Sequence, residues 1–464
     1  MKSNRRVRDE RGVTYTLTQQ LAEGGQGVVF ATTTRGLVVK VRNLATPEES
    51  DRIRRRLDLV RRLGLSDLDV VVPASRLVEP DVGYVMEQMT GMSPIGSLTR
   101  VPDGDDPINW YCRMTGGVRR RLILLAALAR TLASLNARGL AYGDVSPTNL
   151  WVSEDASQTV VRLIDLDNVV FFGTDERTFT PHYGAPELEL GDAFVSSLSD
   201  AYAFAVLAFE VLTLVHPLYG DLVVDGDPEL EVDARRGALP WIDDPNDRRN
   251  ATDRGLSRTI VLTKGLQRLT HLTFADGRGT TLAHRMARPG LGAWADELEA
   301  AADRTIICPG CRGSYFVFSE ICPFCGQARP SFVDVEVCLV QPDNEDLAEE
   351  LEFETGPQSV ARLCVTSGET RTLLARHAFG RGDESVVELS VEAADLRLRR
   401  GGDRQVDVID CANIKLSAAR AATPVSLKGL PIKLAALPDY ALSFGENEGL
   451  RRIARFVHFP RRAS

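Results

Sequence analysis

Four of the eight cysteines fall at 308, 311, 322 and 325, in "CPGCRGSYFVFSEICPFCGQ", as two C-x-x-C pairs separated by ten residues. Each pair sets two sulfurs on one side of a tight turn, and two such turns complete the sulfur tetrahedron that Zn²⁺ prefers. Four protein ligands leave no open position, so Cys308, Cys311, Cys322 and Cys325 imply a structural site. Gly326, directly after the last ligand, permits the turn whose amides face sulfur. A redox dithiol fits less well, because both pairs sit at metal-site spacing and a cytoplasmic chain occupies a reducing compartment. Cys112, Cys338, Cys364 and Cys411 are scattered among apolar neighbours and read as small buried hydrophobes. From 308 to 329 the basic residues are Arg312 and Arg329, which offer little neutralisation to nucleic-acid phosphates.

A ribbon spanning 304–330 has too few apolar residues to fold without its metal, so the cores must lie on either side. A chain of 464 residues exceeds one ordinary core, and its length suggests about three domains. Composition is that of a soluble globular protein, 44% hydrophobic and 26% charged. A net charge of −9 and a pI near 5.4 give no broad footprint for nucleic acid. The basic residues of "MKSNRRVRDE" are not followed by an apolar core, which argues against a secretory leader. The apolar stretch "AYAFAVLAFEVLTLV" at 201–215 contains Glu210 and falls short of the roughly 20 residues of a membrane span. The expectation is a cytoplasmic protein that does not engage a membrane.

On the N-terminal side, "LAEGGQGVVF" at 21–30 packs Gly24, Gly25 and Gly27 between apolar residues, and "LVVK" ends at Lys40. Glycines there serve either a tight strand connection or a loop whose amides approach a phosphate. "TPEESDRIRRRLDLVRRLGL" opens with Thr46, Pro47 and Glu49 in capping-box spacing and continues with Ile53, Leu57, Val60 and Leu63 on one face, which predicts a helix. "VGYVMEQMTG" reads as a strand and turn, and "RRRLILLAALARTLASLNARG" as a long buried helix stopped by Gly139. Two short apolar stretches, "GLAYGDVSPTNLWV" and "VVRLIDLDNVVFF", precede a hydrophobic helix from about 199 to 215. Strands with one helix, then mostly helices, make an uneven two-lobed α+β pattern. From 331 the segments "SFVDVEVCLV", "SVARLCVTS", "VVELSVEA", "DLRLRR" and "VDVIDC" alternate with a period of two. They predict an all-β sandwich or barrel over 331–464, with an exposed acidic loop at 341–358.

Asp144 precedes Asn149 by five positions in "YGDVSPTNL", and Asp165 lies in "LIDLDN" after the next strand-like segment. Glycine loop, strand-end lysine, Asp-x-x-x-x-Asn and strand-borne Asp occur in that order. In this set the sequence resembles the eukaryotic-like Ser/Thr protein kinases over residues 12–300. The resemblance implies a lobe at about 12–90, a second at about 91–300, and ATP with Mg²⁺ or Mn²⁺ as cofactors. By it, Gly24, Gly25 and Gly27 fold over the phosphates, which Lys40 holds; Asn149 and Asp165 hold the metal ions; Asp144 accepts the substrate's proton. Glu87 and Met89 offer backbone groups to adenine, with Met86 behind them. "GAPEL" at 184–188 resembles the end of an activation segment that would run from Asp165 to Glu187 and carry Thr178 and Thr180. Asp200 would anchor the catalytic loop.

Departures from the pattern are equally specific. Tyr142-Gly143 stands where His-Arg is usual, so the arginine that would pair with a phosphorylated activation segment is absent. Ser146 replaces a lysine near the transferring phosphate. Asp165-Leu166-Asp167 replaces Asp-Phe-Gly and adds a carboxylate close to the metal. The helix that should present a Glu to Lys40 offers no clear one; Asp58 is near the expected place, while Glu48 and Glu49 sit in the first turn. Aminoglycoside-type kinases share the Asp-x-x-x-x-Asn but generally lack the Ala-Pro-Glu segment and the anchoring Asp, so a protein substrate is favoured. The competing reading is a nucleotide-binding scaffold without phosphotransfer.

A kinase-like region followed by a zinc ribbon and a β-rich tail resembles kinases of bacterial phosphorylation modules found with von Willebrand-type and PPM-type phosphatase partners, as in tellurite-resistance-like clusters; "LPWIDDPNDRRN" at 239–250 is similar to a segment of that group. "ARHAFGRGDES" is only faintly like a forkhead-associated domain, without its phosphothreonine-binding Ser and His, and the tail is assigned an interaction role.

Overall fold

A computed structural model describes residues 5–24, 27–43, 46–175, 177–340, 358–410, 428–444 and 451–461. Gly25, Cys411 and the acidic loop expected at 341–358, apart from Gln358, lie outside the described residues. The chain forms two units, one of Met1–Trp110 with Arg120–Glu299 and the other of Tyr111–Arg119 with Ala300–Ser464.

The first unit begins with a six-stranded sheet. In spatial order its strands are Arg6–Arg8, Thr14–Gly24, Gly27–Thr32, Leu37–Arg42, Gly83–Glu87 and Ser75–Arg76, paired antiparallel throughout. Alternation sorts the strand Leu37–Arg42 between two cores. Val39 and Val41 pack with Val7, Leu17 and Val85 on one side. Val38 packs with Tyr84 and Met86 on the other, under Ile53 and Leu57 of the helix Pro47–Arg62. Thr46 caps that helix, its Oγ1 accepting the Glu49 amide at 3.2 Å, and Pro47 stands in its first turn. Being even-numbered, Lys40 shares the face of Val38 and is buried against the helix side.

The helical remainder is organised by two long elements, Gly117–Ala137 and Ser197–Thr213. Ser196 and Ser199 form a reciprocal cap at the start of the second, whose side chains are almost all buried. Arg288 and Glu187, both essentially without solvent exposure, form a two-pronged ion pair at 2.7 and 2.8 Å. Removing one partner strands the other's charge in the core. Arg288→Met should therefore cost about 3–5 kcal/mol, read as a lowered midpoint of chemical unfolding of this unit.

His216 gives the unit an acid sensitivity. Its Nε2 lies 3.0 Å from the His182 carbonyl and its Nδ1 3.2 Å from the Leu218 amide, and burial pushes its pKa down to about 3. A group whose folded pKa is depressed contributes stability above its unfolded value, near 6.5 for histidine, and loses it as pH falls from there. Between pH 6.5 and 4 the wild type should lose up to about 1.4 kcal/mol per pH unit more than His216→Asn. Parallel denaturation curves of the two proteins measure the difference. Raised carboxylates such as Asp200 act with the opposite sign but are common to both.

In the second unit the strands Thr305–Ile307 and Ser314–Phe316 form a hairpin at the first cysteine pair. Two antiparallel sheets follow. One runs Gln358–Thr366, Phe332–Val340, Arg451–Phe459, Tyr440–Phe444, Val406–Asp410, and the other Thr370–Leu374, Ser385–Glu392, Asp395–Arg400, Lys428–Lys433. Val333, Val335 and Val337 alternate into a core shared with Leu389, Leu398 and Phe456. A second cluster joins Cys308 and Cys322 to Tyr315, Phe332 and Cys364, so the cysteine segment and the tail share apolar contacts. Beside it, Asp303 receives His377 Nε2 at 2.8 Å and Arg371 at 3.1 Å. Burial alone would raise the Asp303 carboxyl; the His377 hydrogen bond and the nearby charges outweigh it and hold it below the ordinary value. Among the described residues no helix is long and apolar enough to cross a membrane.

Candidate active site

One short turn positions three polar side chains. Asp165 takes a left-handed conformation, φ 57°, and is followed by the single 3-10 turn Leu166–Asn168. A non-glycine residue held there costs of order 1 kcal/mol, which is usual where a side chain must be aimed. Asp165 Oδ2 lies 2.7 Å from Lys40 Nζ, and its Oδ1 accepts from the Tyr84 hydroxyl at 3.3 Å. Asn168 reaches the other way, its Nδ2 donating to Asp144 at 3.2 Å.

Asp144 stands on a loop bent at Gly143, φ 82°, where a Cβ would lie 3.2 Å from the Asn168 carbonyl. Asp200 fixes this bend from below by accepting the Tyr142 amide at 2.7 Å and the Gly143 amide at 2.9 Å. Burial pushes the Asp200 carboxyl up to about 6 against those bonds. Asp144 accepts Asn149 Nδ2 at 2.8 Å and the Thr180 hydroxyl at 2.6 Å. Burial raises its pKa, opposed by the bonds from Thr180 and Asn149. An ionised, hydrogen-bonded carboxylate beside an alcohol can accept a proton from it.

Lys40, Asp144, Asn149 and Asp165 all border one cavity of about 870 Å³, within the range of small-molecule sites. Gly24, Gly27, Glu87 and Met89 also line it. The two described glycines have different reasons. A Cβ on Gly27 would come 2.4 Å from the Val41 carbonyl, so strand packing alone requires glycine there, whereas nothing lies within 4 Å of a Cβ on Gly24. With Asn149 Nδ2 committed to Asp144, its Oδ1 is left with the Asp165 carboxylate as a hard-oxygen donor set suited to Mg²⁺. Such an ion would neutralise phosphate charge.

The Lys40 partner differs from the sequence expectation. Asp58 pairs with Arg76 at 3.0 Å and with Arg61 at 3.7 Å, whereas Lys40 pairs with Asp165 and Asp167. Asp167, expected near a metal, has its Oδ2 2.6 Å from Arg42 NH1 and its Oδ1 3.6 Å from Lys40 Nζ, with no solvent exposure. Sequence reasoning also missed Arg42, Asn168 and the Thr180 hydroxyl as neighbours of the site. The one available signal was spacing: Arg42 lies two residues beyond Lys40 and so shares its strand face.

No family model matches the chain. It is 33% identical over 112 residues to serine/threonine-protein kinase pkn2 of Myxococcus xanthus, covering 22% of this chain and 13% of that protein. It is 26% identical over 226 residues to serine/threonine-protein kinase PknA of Mycobacterium tuberculosis, covering 45% of this chain and 48% of the relative, with the same figures for PknA of Mycobacterium bovis. The relatives of this chain are bacterial Ser/Thr protein kinases. This chain spans less than half the length of each.

In the second unit, the sulfurs of Cys308, Cys311, Cys322 and Cys325 all lie within 4.8 Å of one another. Cys308 and Cys325 are 3.5 Å apart, and Cys311 and Cys322 3.6 Å. A tetrahedron with Zn–S bonds of about 2.3 Å has edges of about 3.8 Å, so the four sulfurs fit a zinc ion. The Gln327 amide lowers the Cys325 pKa to about 7, the amide-to-sulfur contact that a turn at Gly326, φ 74°, creates. Zinc held here would supply folding energy rather than reactivity.

Proposed function

We propose that this chain is an ATP-dependent Ser/Thr protein kinase that phosphorylates itself, a partner protein, or both, in a bacterial signalling module. In this reading residues 12–300 are the two-lobed catalytic region, 304–330 a structural zinc ribbon, and 331–464 a β-rich interaction domain. The observation that carries it is the hydrogen bond from the Thr180 hydroxyl to Asp144 beside the cavity that Lys40, Asn149 and Asp165 line. A side-chain alcohol already sits on the carboxylate assigned as proton acceptor, the position a substrate Ser or Thr would take. Lys40 holds the phosphates, Asn149 and Asp165 hold Mg²⁺ or Mn²⁺, and the glycine loop with the Glu87 and Met89 backbone encloses the nucleotide. By the module resemblance, a von Willebrand-type or PPM-type phosphatase protein is the partner, met by the tail; nucleic acid and membrane are not partners, and the protein acts in the cytoplasm.

A second reading, the nucleotide-binding scaffold, is favoured by Ser146. It is buried and its hydroxyl faces Thr148 at 3.1 Å, so this position supplies no cation to steady the transferring phosphate. Incubating the purified full chain with γ-labelled ATP and Mg²⁺ or Mn²⁺ separates the two. Label on Ser or Thr of the protein is the expected result, and nucleotide binding without label on any protein would leave the scaffold.

A further inference from the structure

The charges behind Lys40 form a closed group that the nucleotide cavity does not include. Asp167 is fully buried and meets Arg42 at 2.6 Å, Lys40 at 3.6 Å and the Tyr84 hydroxyl at 3.4 Å. Its backbone carbonyl accepts from Arg56 of the helix Pro47–Arg62 at 3.2 Å. That helix therefore turns a cation, not a carboxylate, toward the turn Leu166–Asn168. Among the described residues, Lys40 takes both of its ion-pair partners from this one turn, Asp165 and Asp167.

The two partners are not equivalent. Asp165 lines the cavity and is a candidate metal ligand, so its charge is shared with whatever binds there. Asp167 is absent from the cavity wall and is paired with Arg42, so its charge is not shared with what binds in the cavity. A buried ammonium needs such a standing counter-charge, because an unpaired one moves or loses its proton.

Resting on the kinase reading above, we infer that Asp167, held by Arg42, is the positioning residue for Lys40, taking the place of a helix carboxylate. Lys40 is then aimed by the turn that carries Asp165, which the helix Pro47–Arg62 meets through the Arg56 guanidinium rather than through a carboxylate on Lys40. The strand Leu37–Arg42 and the metal-binding turn are locked by the same pair.

The test uses the full chain and two readouts: affinity for a fluorescent (mant) ATP analogue without divalent metal, and KM for ATP with kcat in the labelling assay. Asp167→Asn strands the Arg42 charge and destabilises the fold by itself, so Arg42→Met and the neutral pair Arg42→Met/Asp167→Leu accompany it, with thermal midpoints recorded. The double variant removes both buried charges and should recover the midpoint. Its analogue affinity should stay about tenfold below wild type and its kcat/KM about 10²-fold below, as expected for a misplaced phosphate-holding group. Arg42→Lys should restore most of both. A double variant whose affinity and kcat/KM return to within about threefold of wild type, the equivalent of less than about 0.7 kcal/mol, would overturn the inference and leave the pair a purely structural one. A wild type that binds the analogue but labels no protein would sink the kinase reading alone, since the affinity series still decides the role of Asp167.

Discussion

Asp144→Asn should abolish nearly all phosphate transfer while nucleotide is still bound. The carboxylate accepts from an aliphatic alcohol at the cavity, Thr180 Oγ1 at 2.6 Å, and a positioned general base contributes roughly 10²–10⁴ in rate. The amide keeps the shape and can still accept one hydrogen bond, so Gly143, Asp200 and the loop between them remain in place. It cannot take a proton from a hydroxyl. Labelling with γ-labelled ATP measures the loss, and the mant analogue measures retention of binding. Equal labelling by wild type and variant would show that Asp144 is not the acceptor, and a matching loss of nucleotide affinity would mean that the substitution had collapsed the site instead.

The second large effect is metal loss. Replacing Cys308 and Cys311 by Ser removes two of the four sulfurs that lie within 4.8 Å of one another. Structural zinc contributes apparent binding free energies of about 10–16 kcal/mol in ribbon-sized peptides, so little of the segment should survive. Because Cys308 and Cys322 sit in one apolar cluster with Phe332 and Cys364, the damage should spread into the first strands of the tail. Elemental analysis should give one zinc per wild-type chain and none in the variant, and limited proteolysis should open the variant between 300 and 340. Nucleotide binding should persist, since Lys40 and Asp165 belong to the other unit. Wild-type protein purified without chelator and found free of zinc would end the structural-site reading.

What the sequence made legible is local. Thr46, Pro47 and Glu49 announce the helix Pro47–Arg62 because a cap is satisfied within one turn. The cysteine spacing predicts a four-sulfur cluster for the same reason, whereas the bend at Gly143, φ 82°, went unread behind the missing His-Arg. Contacts between distant segments were not legible. Arg42 and Asp167 are 125 positions apart, and an acidic residue two beyond Asp165 reads as a metal neighbour until strand alternation places Arg42 behind it. In the tail, the strand Arg451–Phe459 lies between Phe332–Val340 and Tyr440–Phe444. Four of its residues are Arg or His, and its apolar positions emerge only once both neighbours are known. Lys428–Lys433 contains Pro431, which argues against a strand interior, so only its pairing with Asp395–Arg400 makes it a strand.

The wall of the cavity carries Glu23, Glu87, Asp144 and Asp165 against a single ammonium, Lys40, among the described residues. A bare triphosphate approaching that wall meets a field of its own sign. Dissolved salt ordinarily weakens the capture of an anion by screening attraction, but here it screens repulsion and should help a nucleotide that arrives alone. A nucleotide that brings its own divalent cation needs no such help, so the ionic-strength dependence of the two should run in opposite senses. On the proposed reading, the cavity should therefore select for the ion-paired form of the nucleotide before any transfer begins.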